Sequence, residues 1–217
     1  MQYKAIIFDL DGTLLDTLED IAGSMNQVLE RHGFPVHTAD SYRELVGDGV
    51  GILVERSLPP EKRGNEELIA LLTTQMRDVY ATRWDRCTRP YPGIPALLEE
   101  LHRRRFQASV LSNKPDHFTR MIVSQLLPQF AFRSVAGSKP TVPIKPDPGA
   151  ALEMAKEMNV SPAECLYVGD TNTDMKTALN AGMFPAGVLW GFRGREELLA
   201  SGAKTLLEKP AEILDYL

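Results

Sequence analysis

Two carboxylates separated by one residue close the first apolar run of this chain, in Phe8-Asp9-Leu10-Asp11-Gly12-Thr13. Extended backbone sends alternate side chains to the same side, so Asp9 and Asp11 point together. A carboxylate so placed can attack phosphorus when a cation draws off charge and the ester is held in line. Its neighbour can give a proton to the leaving oxygen and later take one from the attacking water. Gly12 lets the chain turn sharply, so that backbone N–H groups face an anion. Asp and Gly are also ordinary turn formers after a strand, and the motif alone carries that reading as well.

Three further segments place polar groups at or near the ends of apolar runs: Val110-Leu111-Ser112-Asn113-Lys114, Ile144-Lys145-Pro146-Asp147-Pro148 and Val168-Gly169-Asp170-Thr171-Asn172-Thr173-Asp174. Magnesium takes about six oxygens and usually only one or two protein carboxylates, leaving the rest to water and substrate. Asp170 suits such a ligand, with Asp174 holding a metal-bound water or Lys145. Asp170 or Thr171 capping the following helix is compatible with that role. Ser112 and Asn113 offer two donors to phosphate oxygens without adding charge; the plainer reading is a helix N-cap before Pro115. Prolines around Lys145 stiffen its presentation, although most lysines are simply solvated. Together, two aspartates at the start and two far downstream make a Mg²⁺ site able to hold a phosphoryl group.

These residues need a scaffold that gathers strand ends. Ala5-Ile6-Ile7-Phe8 is too short for a core helix and reads as a buried strand, within a first strand of about 4–10. From 16 to 85 only helical patterns appear, at 41–46, 50–58 and 66–84, after a first helix whose apolar stripe is Ile21, Met25, Val28 and Leu29. The third of these patterns is expected to bury Leu68, Leu71, Leu72, Val79 and Tyr80. Thr17 is the expected cap of the first helix. Beyond 86, strands near 106–111, 134–137, 166–168 and 186–189 alternate with helices, and a short helix pair closes the chain. Alternation of this kind predicts a parallel sheet with right-handed crossovers and helices on both faces. Ligands then bind in the crevice above the carboxyl ends of the strands. The expected fold is α/β, a flavodoxin- or Rossmann-like doubly wound sheet over 1–15 and 86–217, with a small helical cap inserted at 16–85.

The 217 residues suffice for one α/β domain and a small insertion. A net charge of −5 argues against a nucleic-acid partner, which would meet a basic face. No apolar run approaches the roughly 20 residues that span a bilayer. The start of the chain lacks the pattern of a signal peptide. Two cysteines, Cys87 and Cys165, lie far apart without metal-type spacing, and with the absent export signal they suit a reduced cytoplasmic setting. The four histidines show no partner spacing.

With Asp9-Leu10-Asp11-Gly12-Thr13, Ser112-Asn113, Lys145-Pro146 and Gly169-Asp170-Thr171-Asn172-Thr173-Asp174 in this order, the chain resembles the haloacid dehalogenase superfamily over essentially its whole length. The resemblance implies Asp9 as phosphorylated nucleophile and Asp11 as general acid/base. It also implies Mg²⁺ held by Asp9, Asp170 and the Asp11 carbonyl, Ser112 and Lys145 on the phosphate, Thr13 and Asn113 among the substrate-binding residues, and Asp174 as an assisting acid. The helical insertion corresponds to that family's small cap, which closes over the site. Leu45-Val46-Gly47-Asp48-Gly49 resembles the phosphoglycolate phosphatase branch, with Gly47 and Gly49 as its substrate loop. Ser112 stands where the family more often has threonine, and keeps the hydroxyl. The acid at position 11 argues for phosphate over carbon–halogen chemistry. The expected function is a Mg²⁺-dependent phosphatase acting on a small phosphorylated metabolite. A sugar-phosphate mutase is the nearest rival; it would carry a cap arginine after Gly47-Asp48-Gly49, where none is convincingly placed. A phosphoacceptor signalling domain uses similar groups, but it is shorter, has no helical insertion and carries its acceptor after a central strand.

Overall fold

The first strand, β1 (Ala5–Phe8), consists of four apolar side chains with no exposed surface. In the computed structural model, which describes residues 3–217, a two-residue strand β2 (Leu15–Asp16) follows it and pairs with β3 (Arg89–Pro90) as a separate ribbon. The main sheet continues with β4 (Gln107–Pro115), β5 (Val135–Ser138), β6 (Cys165–Gly169), β7 (Phe184–Val188) and β8 (Thr205–Leu207). Its order is β5-β4-β1-β6-β7-β8, and every pairing is parallel. The chain therefore builds outward from β1 on one side, returns, and builds outward on the other. The carboxyl end of β1 lies at the reversal point, where open parallel sheets leave a crevice.

Contacts divide the chain into two compact units, Met1–Leu15 with Pro90–Leu217, and Asp16–Arg89. In the first, the helices are α5 (Ile94–Arg103), α6 (Asp116–Leu126), α7 (Gly149–Glu157), α8 (Asn172–Asn180) and α9 (Arg195–Ala200), while α1 (Leu18–Arg31), α2 (Tyr42–Leu45), α3 (Val50–Ser57) and α4 (Glu66–Ala81) form the second. One face of the sheet buries Ala5 and Ile7 of β1 and Cys165 and Tyr167 of β6 against Ala151, Met154 and Ala155 of α7. The alternate residues Ile6, Phe8, Leu166 and Val168 are equally buried, so the central strands are covered on both faces and read as continuous apolar runs.

Four local details differ from the sequence reading. β4 extends through Ser112, Asn113 and Lys114 to Pro115, so these residues continue a strand and do not cap α6. Their extension is held from outside the ladder, by paired hydrogen bonds between Asn113 and the Lys145 backbone. β8 is only three residues long, too brief to leave a period in the sequence. Thr17 is the N-cap of α1, but its side chain makes no capping hydrogen bond. In α4, Leu71 is 49% exposed and Leu68 half-buried, while Leu72, Met76, Val79 and Tyr80 form the buried stripe. Leu71 is one residue, about 100° of helix, out of phase with that stripe.

The helical unit is stitched together by a buried acid. Asp20, 1% exposed, accepts at Oδ2 from the Cys87 N–H at 2.9 Å, the Thr88 N–H at 2.8 Å and the Thr88 hydroxyl at 2.8 Å. These bonds tie the first turn of α1 to the segment that leaves the unit 67 residues later.

Two stability outcomes follow from these contacts. Replacing Leu72 by Ala is expected to cost about 2–5 kcal/mol in urea unfolding, while Leu71→Ala stays within about 0.5 kcal/mol. Asp20→Ala strands three donors at once, two of them buried, and is expected to cost about 2–4 kcal/mol, read as a lowered midpoint in the same assay.

Candidate active site

The site is assembled where β1, β4 and β6 end side by side. The Asp9 N–H donates to the Val168 carbonyl at 2.9 Å, carrying the β1–β6 pairing one residue past the strand and bringing Asp9 towards Asp170. Carboxylate oxygens of Asp9, Asp170 and Asp174 all lie within 4.8 Å of one another, and all three residues are buried.

Each carboxylate is held by a different device. Asp170 accepts from the Thr13 hydroxyl at 3.0 Å on Oδ1 and from the Phe192 N–H at 2.8 Å on Oδ2. Thr13 is expected from sequence to contact substrate; its hydroxyl donates to Asp170. Asp174 belongs to a capping box at the start of α8: Oδ2 accepts from the Thr171 N–H at 3.1 Å and the Thr171 hydroxyl at 2.7 Å. Helix capping and site building are thus performed by the same residue. The other oxygen of Asp174 faces the Lys145 ammonium at 2.7 Å. Asp9 Oδ1 meets the same ammonium at 2.8 Å. Carboxylate oxygens gathered this closely in a buried site suit a hard divalent cation.

Lys145 is 4% exposed. Its N–H donates to Asn113 Oδ1 at 2.9 Å, and Asn113 Nδ2 donates to its carbonyl at 3.1 Å. Asn113, expected to offer a donor to phosphate, also clasps the backbone that presents Lys145. The Lys145–Pro146 peptide is cis. Ser112 is buried, and its oxygen accepts from the Lys114 N–H at 3.2 Å.

Asp11 stands apart from the three-carboxylate group. Lys114 Nζ reaches both of its oxygens, at 2.8 and 2.9 Å, with the lysine side chain 6% and the acid 12% exposed. Sequence reasoning assigns Lys114 no role, although it directly follows Ser112-Asn113; its position at the end of a strand is the available signal. The loop after β7 carries no sequence motif either. Besides Phe192, it supplies Trp190, whose indole N–H donates to the Thr13 carbonyl at 2.9 Å. It also supplies Gly191, where any Cβ would collide with Asp170 and the Gly12 carbonyl. Gly12 itself has φ +83°, and a Cβ there would strike the Asp170 carboxylate. Gly47 and Gly49 lie between α2 and α3 in the helical unit, flanking Asp48, which pairs with Arg56 at 2.6 Å. The carboxylate cluster is built wholly from the other unit.

The electrostatics follow from three buried acids facing one ammonium. Burial raises Asp9 well above the usual carboxylate range; Asp174 adds to the rise, and Lys145 offsets only part of it. Burial, then Asp174, pushes Asp170 up to about 7 against the opposing hydrogen bonds from Phe192 and Thr13. For Lys145, burial would favour the neutral amine, but Asp174 and Asp9 outweigh it and raise the group well above its ordinary value. Excess negative charge in a dry pocket is resolved by a proton or by a metal ion. An all-oxygen donor set belongs to a hard divalent cation such as Mg²⁺.

Residues 6–188 match the family described as haloacid dehalogenase-like hydrolase. A phosphoglycolate phosphatase of Vibrio vulnificus is 33% identical over 218 residues, spanning 99% of this chain and 96% of the relative. A phosphoglycolate phosphatase of Vibrio parahaemolyticus is 32% identical, spanning 98% and 95%. Among solved structures, a protein of Lactobacillus delbrueckii subsp. bulgaricus has a TM-score of 0.93 at 29% identity, covering 100% of this chain and 99% of its own. A haloacid dehalogenase-like family hydrolase of Streptococcus pneumoniae, 24% identical, shares the fold with a TM-score of 0.87 over 99% of this chain and 98% of its own. The parallel sheet, the aspartates gathered above it and a match across most of the sequence agree: this chain belongs to the haloacid dehalogenase-like hydrolases.

Proposed function

We propose that the chain is a Mg²⁺-dependent phosphatase that hydrolyses small phosphomonoesters through an aspartyl-phosphate on Asp9, with phosphoglycolate first among its substrates. The observation that carries this reading is the buried set of Asp9, Asp170 and Asp174 facing a single ammonium, beside a separate acid, Asp11. The names of the relatives supply the substrate.

In the first half-reaction an Asp9 carboxylate oxygen attacks phosphorus and the bond to the ester oxygen breaks, that oxygen taking the proton of Asp11. In the second, water attacks the same phosphorus while Asp11 takes its proton, and the bond to Asp9 breaks to release phosphate. Asp9, Asp170 and the Asp11 carbonyl would hold Mg²⁺. Bound there, the ion draws negative charge off the phosphoryl oxygens, so that an anionic nucleophile can approach an anionic ester. Lys145 balances charge on the phosphoryl group, with Asp174 aiming it and Asn113 fixing its backbone. Ser112 donates its hydroxyl to a phosphoryl oxygen. In this reading the helical insertion is the cap, Gly47 and Gly49 its substrate loop, and the free thiols of Cys87 and Cys165 suit a reducing cytoplasm. Among the described residues no helix is long and apolar enough to cross a membrane.

Purified protein is expected to release phosphate from phosphoglycolate only with a divalent cation present. Asp9→Asn should lower kcat by more than roughly a thousandfold while keeping its circular dichroism spectrum. An Asp9→Asn variant as fast as the parent would end the covalent mechanism.

Cation binding should also depend on pH, in a direction the acids set. An acid raised to about 7 in the folded state keeps its proton below that pH, and a cation must displace the proton to bind. Without metal, the folded state binds that proton more tightly than the unfolded chain, so this contribution to stability is lost as pH rises from about 4 towards 7. A cation reverses the loss. The rise in melting temperature on adding Mg²⁺ is therefore expected to be larger at pH 8 than at pH 5.5, and to shrink at both in Asp170→Asn.

A further inference from the structure

The two buried ammonium groups of the site are divided between its two ends. Lys145 touches Asp9 and Asp174, on the side of the nucleophile and the phosphoryl group. Lys114 touches Asp11, the acid that serves the departing oxygen. With Asp9 as nucleophile and Asp11 as acid, as proposed above, Lys145 would answer phosphoryl charge and the charge of Lys114 would face the leaving group.

We propose that Lys114 is a specificity-determining residue that selects phosphomonoesters whose leaving group carries a carboxylate next to the ester carbon. This rests on the phosphatase reading above and adds to it the reason for a 2-phospho-acid substrate. To protonate the bridging oxygen, Asp11 must approach it to about 2.6–3.2 Å. Lys114 Nζ sits 2.8 and 2.9 Å from the Asp11 oxygens. The ammonium then falls within about 6 Å of the bridging oxygen when that contact is made. In a two-carbon 2-phospho-acid the carboxylate oxygens lie about 3 Å from the bridging oxygen by covalent geometry. One hydrogen bond of about 3 Å spans what remains. The lysine side chain is nearly enclosed, where an ion pair with a substrate is screened far less than at the surface. A neutral leaving group offers that ammonium nothing.

The test compares phosphoglycolate with ethyl phosphate, which has the same two carbons and a methyl group in place of the carboxylate, both with Mg²⁺. The wild-type protein is expected to prefer phosphoglycolate in kcat/KM. Lys114→Met should reduce that preference by roughly tenfold to a hundredfold, mainly by losing phosphoglycolate turnover, while Lys114→Arg keeps most of it. Lys114→Gln carries the same expectation as the methionine variant should the latter fail to fold. Equal losses on both esters would mean that Lys114 only orients Asp11, and would overturn the inference. So would a wild-type protein that hydrolyses both esters without preference, a result that leaves the phosphatase reading standing. Release from neither ester overturns that reading, and the inference with it.

Discussion

Three carboxylates out of water, two of them sharing one ammonium, are the constraint on which this structure turns. Asp9, Asp170 and Asp174 outnumber the ammonium of Lys145, and burial together with their mutual repulsion raises Asp9 and Asp170 above the usual carboxylate range. Carboxylates at such distances in a dry pocket repel strongly, and burial removes the solvent that would soften the repulsion. A fold optimised for stability alone would not keep this arrangement. Each acid is tied to a rigid element, and in the proposed reading a cation would bring in the missing charge.

The scaffold supplies that rigidity with ordinary parts. β1 is buried on both faces and paired on both edges, so Asp9 leaves it with little freedom. Asp174 is locked by the capping box that starts α8. Asp170 is gripped from two loops, by Thr13 and by Phe192, with glycines at 12 and 191 where a side chain would not fit. Lys145 is presented by a proline-bordered loop whose backbone is clasped by Asn113 on the neighbouring strand. Groups held by the sheet and by capping hydrogen bonds reorganise little as charge shifts, which is what stabilisation of a phosphoryl transition state demands.

Asp11 differs in kind. It sits just past the strand, is a little more exposed, and has an ammonium of its own in Lys114. Two acids two residues apart are thereby given different electrostatic surroundings, one among like charges and one beside an opposite charge. Distinct environments allow two chemically identical groups distinct duties.

Much of this was legible in the sequence because strand ends are local events. Apolar runs ending in Asp9, Ser112 and Asp170 mark the strands and their polar tips, and alternation with helices dictates a parallel sheet that must gather those tips. Thr171 was already a candidate cap for the following helix; that the acid three residues on completes its capping box emerged only in the structure. What the sequence alone left undetermined were the partners. Thr13, Asn113 and Lys114 are each polar residues beside an identified motif, and nothing in one dimension distinguishes a group facing substrate from one facing another side chain. Only the packed structure decided that Thr13 orients Asp170, that Asn113 holds Lys145 and that Lys114 pairs with Asp11, since these contacts join residues from 32 to 157 positions apart. Leu71 and β8 escaped for the complementary reason: a helix's buried phase and a three-residue edge strand are set by the neighbours they pack against, and those neighbours exist only once the chain has folded.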